Sequence, residues 1–436
     1  MKISLKKNRV ANNAAWLIGT KIVQSVISLI IGMMSARYLG PSNYGLINYA
    51  SSLVAFVLPI MQLGITNILV QEIVNNRENE GTILGTSLLL NFLSAIVCII
   101  GVNTFCIVTN GGDHDAIVVC FLYSIILVFQ AIELVGYWFQ AHLLSKYSSS
   151  VALLAYIISA AYKLFLLVTQ KSIFWFAVIN TIEVAIISIM QIIIYKYKKG
   201  QKFHFSFTIA KRLLRSGRYF IVSNMMITIF AQTDKIMLKQ MLTNEAVGFY
   251  SAAIVCSTVT SFVYAAIIDS FRPGIFEAKK NGDISNYREK LKLLYSIIIY
   301  VSLAYCVVIT IFAKHVILLL YGDKYYMAVS PLRIVVWYTT FSYLGSVRNI
   351  WIISENKQKY LWIINLSGAV LNVFANAALI PIIGINGAAL ASLLTQLFSN
   401  VILGWIIPAI RENNRIMISS LNPCNFRYLY DVLQKK

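Results

Sequence analysis

Apolar runs of roughly 18 residues or more recur from the first dozen positions of this chain to about residue 410. Each is long enough to cross roughly 30 Å of hydrocarbon at about 1.5 Å per residue. Inside a bilayer only helices and closed barrels satisfy their own backbone groups, and these runs far exceed the roughly ten-residue alternating strands of a barrel. The chain is therefore all-α and polytopic. Composition agrees, with 58% hydrophobic and 12% charged residues against about a quarter charged in soluble proteins.

Segmentation predicts about twelve spanning helices, over 11–38, 43–70, 82–108, 115–141, 148–169, 173–195, 211–240, 246–271, 289–320, 328–353, 358–381 and 385–409. The run behind Lys2, Lys6, Lys7 and Arg9 is too long for a cleaved signal peptide and reads as a retained first helix. An even number of spans puts both ends on one side. Most of the 37 lysines and arginines fall in the two tails and in the connections on that same side, which predicts cytoplasmic termini. The opposite connections are short, such as Asn110 to Asp115 and Gln170 to Ser172, and leave no room for an outer domain. Aromatics at helix ends, including Trp138, Trp175 and Trp362, read as interfacial belts.

The net charge of +20 does not indicate nucleic acid, because the basic residues lie between apolar runs. Five of the six cysteines (Cys98, Cys106, Cys120, Cys256, Cys306 and Cys424) lie in apolar runs with no CxxC spacing, so neither a disulfide framework nor a zinc site is suggested. His114, His142, His204 and His315 are scattered, no HExxH motif or phosphate-binding loop occurs, and neither ATP nor a cofactor is implied. A membrane enzyme such as a polysaccharide polymerase or ligase would carry a long catalytic outer loop, which this chain lacks. It reads as a transporter, not an enzyme.

The basic connection from Lys196 to Arg218 divides the chain into an N-lobe of six helices, 1–200, and a C-lobe of six with a cytoplasmic tail, 201–436. The amphipathic run carrying Lys211, Arg212, Arg215 and Arg218 reads as an interfacial helix on anionic lipid heads. Tyr44-Gly45 with Tyr49-Ala50 is echoed weakly by Gly248, Tyr250, Ala252 and Ala253, and Lys146-Tyr147 by Lys359-Tyr360. The echo predicts two pseudo-symmetric lobes with a site between them.

Ser35-Ala36-Arg37-Tyr38-Leu39-Gly40-Pro41 followed by Tyr44-Gly45 resembles the entry signature of polysaccharide-repeat transporters. These are the O-antigen (Wzx-type) flippases of the superfamily that also holds the MATE-like multidrug antiporters and the lipid II flippase. Further matches run along the chain, at Ser216-Gly217, Asp234-Lys235-Ile236-Met237-Leu238, Val247 to Ala253, Leu320 to Tyr325, Ser354 to Lys357, and Leu379-Ile380-Pro381 with Gly384 and Gly387-Ala388-Ala389. One departure is Arg218-Tyr219, where the family often has an aromatic and a proline. The resemblance implies a MATE-like fold in a bacterial inner membrane. It further implies outward flipping of an undecaprenyl-diphosphate-linked oligosaccharide, alongside polymerase and chain-length partners in O-antigen or lipopolysaccharide assembly. A multidrug or cation antiporter is the alternative within the superfamily; the basic tilt of the polar faces argues against it.

A charge at mid-bilayer costs about 2.5–3.5 kcal/mol on insertion scales, so charged residues inside spans mark a wet interior or internal pairing. Lys21, Gln24, Ser28, Gly32 and Ser35 share one face of the first helix, and Asn48, Ser52, Pro59, Gln62 and Thr66 one face of the second. Asn224, Thr228, Gln232, Lys235 and Lys239 share a face of the seventh. A diphosphate needs cations to cross a low-dielectric region. Lys21, Arg37, Lys235 and Arg348, with Gln24 and Gln62, are the expected substrate-binding residues. Snorkelling is the competing reading for Arg37. Glu133, then Asp234 and Asp269, are the expected ion-coupling carboxylates for a proton or sodium ion, with pairing to Lys21 or Lys163 the competing reading for Glu133 and pairing to Arg272 for Asp269. For Asn365, Gly368, Asn372 and Asn376 on the eleventh helix, close helix packing is the expected role. Asp234 and Lys235 lie about 100° apart around a helix and are expected to take different partners.

Overall fold

A computed structural model describes residues 2–422, with side chains from Ile27 onward. Every predicted span contains helix, and the described residues hold no strand. The protein is an all-helical, multi-pass membrane protein. Among the described residues, eight helices are long and apolar enough to cross a bilayer, or nine with one bent pair. Side chains such as Val108, Val168 and Phe374 stand exposed on them, as expected where lipid is the solvent.

α1 (Lys2–Met61) covers the first two predicted spans, divided at Gly40. There φ is 71° and ψ 171°, a region that is essentially glycine's alone, and Pro41 then opens the next helical stretch with its φ already set. The second stretch ends at Met61, earlier than expected. A Pro59 inside the helix removes one donor, Leu63 and Gly64 take positive φ, and a 3₁₀ turn (Ile65–Asn67) leads into the short α2 (Leu69–Asn75). α3 (Glu80–Thr109) follows as one unbroken helix.

The fourth predicted span is three pieces: α4 (His114–Ser124), α5 (Ile126–Ile132) and α6 (Val135–Ala141). At the second break the bonds tighten to the i→i+3 type, Gly136 N–H to the Glu133 carbonyl at 2.8 Å and Tyr137 N–H to Leu134 at 3.1 Å. α7 (Ser145–Val168), α8 (Ile173–Ala177) and α9 (Ile179–Tyr197) complete the next two spans.

The basic connection does not form a separate interfacial helix. Its amphipathic run is the first part of α10 (Phe207–Met241), and Leu213 is buried among Ile65, Leu69 and Trp138. The segment before it is tied to α3. The Gln201 side chain accepts from Gly81 N–H at 3.0 Å and donates to the Arg77 carbonyl at 2.9 Å, and Ser206 N–H donates to Thr86 Oγ1 at 3.0 Å. Arg212 pairs with Glu72 at 2.9 Å, so part of the charge expected to face lipid heads is used internally. Gly217 lies against the backbone of Leu63 and Gly64, where a Cβ on either glycine would overlap a carbonyl oxygen.

The remaining helices are α11 (Asn244–Thr258), α12 (Ser261–Lys280), α13 (Ile284–Tyr321), α14 (Val329–Ser354), α15 (Leu361–Ile383), α16 (Ile385–Leu397), α17 (Leu403–Ile406) and α18 (Arg411–Ser419). α11 and α12 are bent by 41°. A π-helical turn, Phe398–Ile402, joins α16 to α17. The chain forms two compact units, 1–232 and 233–436, with the division inside α10. The core of the first gathers Ile65, Leu69, Trp138 and Phe139, and that of the second Tyr264, Tyr295, Leu344 and Trp351.

Candidate functional site

In the second unit the chemistry concentrates on Asp234. Its carboxylate is 5% exposed, deep in the last third of α10, yet it faces no lysine or arginine at ion-pair distance among the described residues. It is held instead by four neutral donors. Oδ2 accepts from the Tyr250 hydroxyl of α11 at 2.5 Å and from the Ser392 hydroxyl of α16. Oδ1 accepts from the Asn376 amide at 2.7 Å and the Asn372 amide at 3.1 Å, both on α15. The two asparagines are four residues apart, which places them on one helix face, and Asn376 also donates to the Asn372 carbonyl at 2.9 Å.

Bonds to an ionised acceptor are about twice as strong as neutral ones, and four of them offset much of the cost of burying the charge. The amides leave a remainder. With both –NH₂ groups turned to Asp234, the Oδ1 atoms of Asn372 and Asn376 are buried with no hydrogen-bond partner among the described residues. The site therefore combines one carboxylate, two unmatched amide oxygens and two hydroxyls. An all-oxygen set with a single negative charge suits a hard monovalent cation or a proton and does not suit a soft transition metal. No group of three or more histidines, cysteines or acidic residues occurs among the described residues.

Lys235, one position on, is half-buried and makes no hydrogen bond or ion pair with any described residue, and the nearby charge acting on it is that of Asp234. Asp269 on α12 is well exposed and pairs with Arg272 one turn away at 3.1 Å. Arg348 on α14 is 4% exposed and committed: Nη1 donates to the Ser399 carbonyl at 2.6 Å and Nη2 to Asn349 Oδ1 at 3.2 Å. Ser399 lies in the π-helical turn, where the i→i+5 pattern frees carbonyls that an α-helix would occupy. Arg37 is exposed at the end of the first stretch of α1, just before Gly40. Lys21 and Gln24 lie outside the described side chains.

In the first unit Glu133 and Gln62 meet in one cavity of about 410 Å³. Gln130, Tyr137, Gln140 and Gln191 line it with them, drawn from α5, α6 and α9. Glu133 has no hydrogen-bonded or paired side chain within the described residues, Lys163 included.

Of the residues expected from the sequence, Asp234 lies in the second-unit cluster and Glu133 and Gln62 share the first-unit cavity, whereas Tyr250 and Ser392 were not expected and Asn372 and Asn376 were expected to pack helices. The available signal was the pair of asparagines at i, i+4 in an otherwise apolar helix.

A model of the family described as "Polysaccharide biosynthesis protein" matches residues 10–279, more than half of the chain. The chain belongs to this family. No curated protein matches it. Among solved structures, this polysaccharide biosynthesis family member is similar to the lipid II flippase MurJ in an inward closed conformation, with 14% identity over 95% of this chain and 92% of that one and a TM-score of 0.68. An inward-facing multidrug resistance MATE transporter of the MOP superfamily gives 13% identity, coverage of 91% and 96%, and a TM-score of 0.67. A MOP superfamily transporter from Pyrococcus furiosus, described as having a binding pocket of reverse polarity, gives 13%, 94% and 96%, and 0.54. At these identities the likeness shows the fold, which is MATE/MurJ-like. The chain is thus a polysaccharide biosynthesis family member with the fold of MATE and MurJ transporters.

Proposed function

We propose that this protein flips an undecaprenyl-diphosphate-linked oligosaccharide from the cytoplasmic to the outer leaflet of a bacterial inner membrane, by alternating access of two lobes, and that Asp234 couples the movement to a sodium or proton gradient. The observation that carries the coupling is the Asp234 carboxylate, buried among neutral donors beside two amide oxygens without partners. A carboxylate of that kind changes its net interactions when a cation or proton arrives, and a transporter needs a residue whose charge state can follow access. The basic connections support cytoplasmic termini, and Lys235 and Arg37 remain proposed contacts for the diphosphate, with Lys21 and Gln24 on the polar face of the first helix. Arg348 fits a locking role on the π-helical turn better than a substrate contact, and Asp269 fits a surface pair with Arg272.

The test uses a strain lacking this gene, radiolabelled in its sugars. The proposal expects lipid-linked oligosaccharide to build up on the cytoplasmic side, and restoration of surface glycan by the intact gene but not by Asp234→Asn. Normal surface glycan in the deletion strain would overturn it. The carboxylate in the first unit favours a second reading, export of a lipophilic cation, which predicts drug sensitivity in the deletion strain with surface glycan unchanged.

A further inference from the structure

We infer that the Glu133 cavity of the first unit is a recognition site for an uncharged, hydroxyl-rich sugar residue, and that it reads the saccharide while the diphosphate is held elsewhere. The inference rests on the flippase reading and adds to it the part of the substrate that this cavity takes.

The lining decides the chemistry. Four glutamines (Gln62, Gln130, Gln140 and Gln191) converge with Glu133 and Tyr137, and among the described residues no lysine, arginine or histidine lines the space. A diphosphate offers only acceptors and negative charge, and it would meet a carboxylate with no cation to balance it. The unmatched atoms are themselves acceptors. Gln130 Oε1 and Gln191 Oε1 are buried without a partner among the described residues, and the Glu133 carboxylate makes no hydrogen bond or ion pair with any of them. Buried acceptors in native proteins are nearly always satisfied, and donors that enter the cavity would satisfy these. Hydroxyl groups are such donors. A carboxylate accepts from two neighbouring hydroxyls at once, and each glutamine amide can accept from one hydroxyl while donating to the next.

Size separates a sugar from an ion. The volume of about 410 Å³ lies within the roughly 300–1,000 Å³ of small-molecule sites and is many times the roughly 30 Å³ share of one water. A lone cation would leave most of the glutamines unengaged. A lipophilic cation would want aromatic faces, and among the described residues Tyr137 is the single aromatic of the lining.

The local fold keeps the space open. Glu133 sits at the break between α5 and α6, where the tightened turn changes the direction of the side chains that follow. Gly136, one turn on, leaves room for Gln191, since a Cβ there would stand 3.2 Å from both polar atoms of that amide.

The experiment uses the full chain, purified in lipid nanodiscs, with melting temperature as readout. The probes are a panel of neutral methyl glycosides and N-acetylated monosaccharides, inorganic pyrophosphate, and tetraphenylphosphonium. The expected result is protection by at least one sugar and none by pyrophosphate. Gln130→Leu with Gln191→Leu, checked for an unchanged elution profile, should weaken the sugar about tenfold or more, which is about 1.4 kcal/mol. Glu133→Gln keeps one acceptor oxygen but loses the second acceptor and the charge, so it should weaken sugar protection less than the double variant does. No protection by any sugar, or equal protection of the double variant, overturns the inference. Protection by tetraphenylphosphonium that Glu133→Gln abolishes, without sugar protection, overturns it in favour of a cation pocket. The flippase reading fails separately, if the deletion strain exports glycan normally. If export needs the gene but the double variant exports at the normal rate, the flippase reading stands and this inference falls.

Discussion

Asn376 donates its amide to Asp234 Oδ1 at 2.7 Å, and in doing so turns its own Oδ1 into a buried position without a partner. One hydrogen bond thus fixes both what holds the carboxylate and what is left to receive a cation. Asp234→Asn replaces one acceptor oxygen with an –NH₂ group facing donors from Asn372, Asn376, Tyr250 and Ser392. The expected result is loss of gradient-driven export, with a stability cost of about 1–3 kcal/mol from mismatched donors. Asn376→Leu should lose coupling as well, whereas Asn376→Asp should retain part of it by supplying oxygen. Export assayed in vesicles with and without an imposed sodium or pH gradient checks this; unchanged gradient dependence in Asp234→Asn would remove the residue from the coupling role.

The approach of Gly64 and Gly217 joins the end of α1 to the first part of α10 backbone to backbone. Gly217→Ala drives a methyl into the Leu63 carbonyl, and neither side can yield as a flexible side chain would. A loss of about 1–3 kcal/mol is expected for such overpacking. Gly64→Ala should cost more, because Gly64 also has φ +66°. Melting temperatures of the two variants in detergent rank them, and equal values for both would refute the assignment of backbone strain to Gly64.

Arg348 separates a structural role from a substrate contact. Its Nη1 donates to the Ser399 carbonyl at 2.6 Å in the π-helical turn, so Arg348→Leu leaves that carbonyl without its donor. The expected loss is about 1–3 kcal/mol of stability, with export falling only as far as protein level falls. If instead Arg348→Leu keeps its melting temperature and loses export, the arginine contacts substrate.

The helices were legible because apolar length and helix-breaking residues are local properties. Gly40-Pro41 announced the division of α1, and charged residues inside apolar runs announced Asp234 and Glu133. What the sequence could not show is who meets whom. Asp234 is 138 and 142 positions from Asn372 and Asn376 and 158 from Ser392, so the periodicity of α15 was visible while the carboxylate it faces was not. The π-helical turn at Phe398–Ile402 leaves no compositional mark, and without it Arg348 looked like a charge awaiting a substrate. The run from Lys211 to Arg218 reads as interfacial by its moment alone, since nothing local reveals that Glu72 takes Arg212 and that Leu213 has a core to enter.

Lys235 carries the last test, because stability and function should there move in opposite directions. Its side chain is half-buried on α10 with no hydrogen-bond or ion-pair partner among the described residues, an arrangement that costs free energy and that a purely structural position would not retain. Lys235→Met keeps the length of the side chain and removes the charge, so the melting temperature should stay level or rise. Export should nevertheless fall, by about tenfold or more, since about 1.4 kcal/mol lost from the hold on a diphosphate already has that effect. Lys235→Arg should keep most of the activity, because a guanidinium also binds phosphate oxygens. Surface glycan measured against protein level, together with the melting temperatures, decides the matter: a Met variant that is stable and exports normally would leave Lys235 without a role in recognising the substrate.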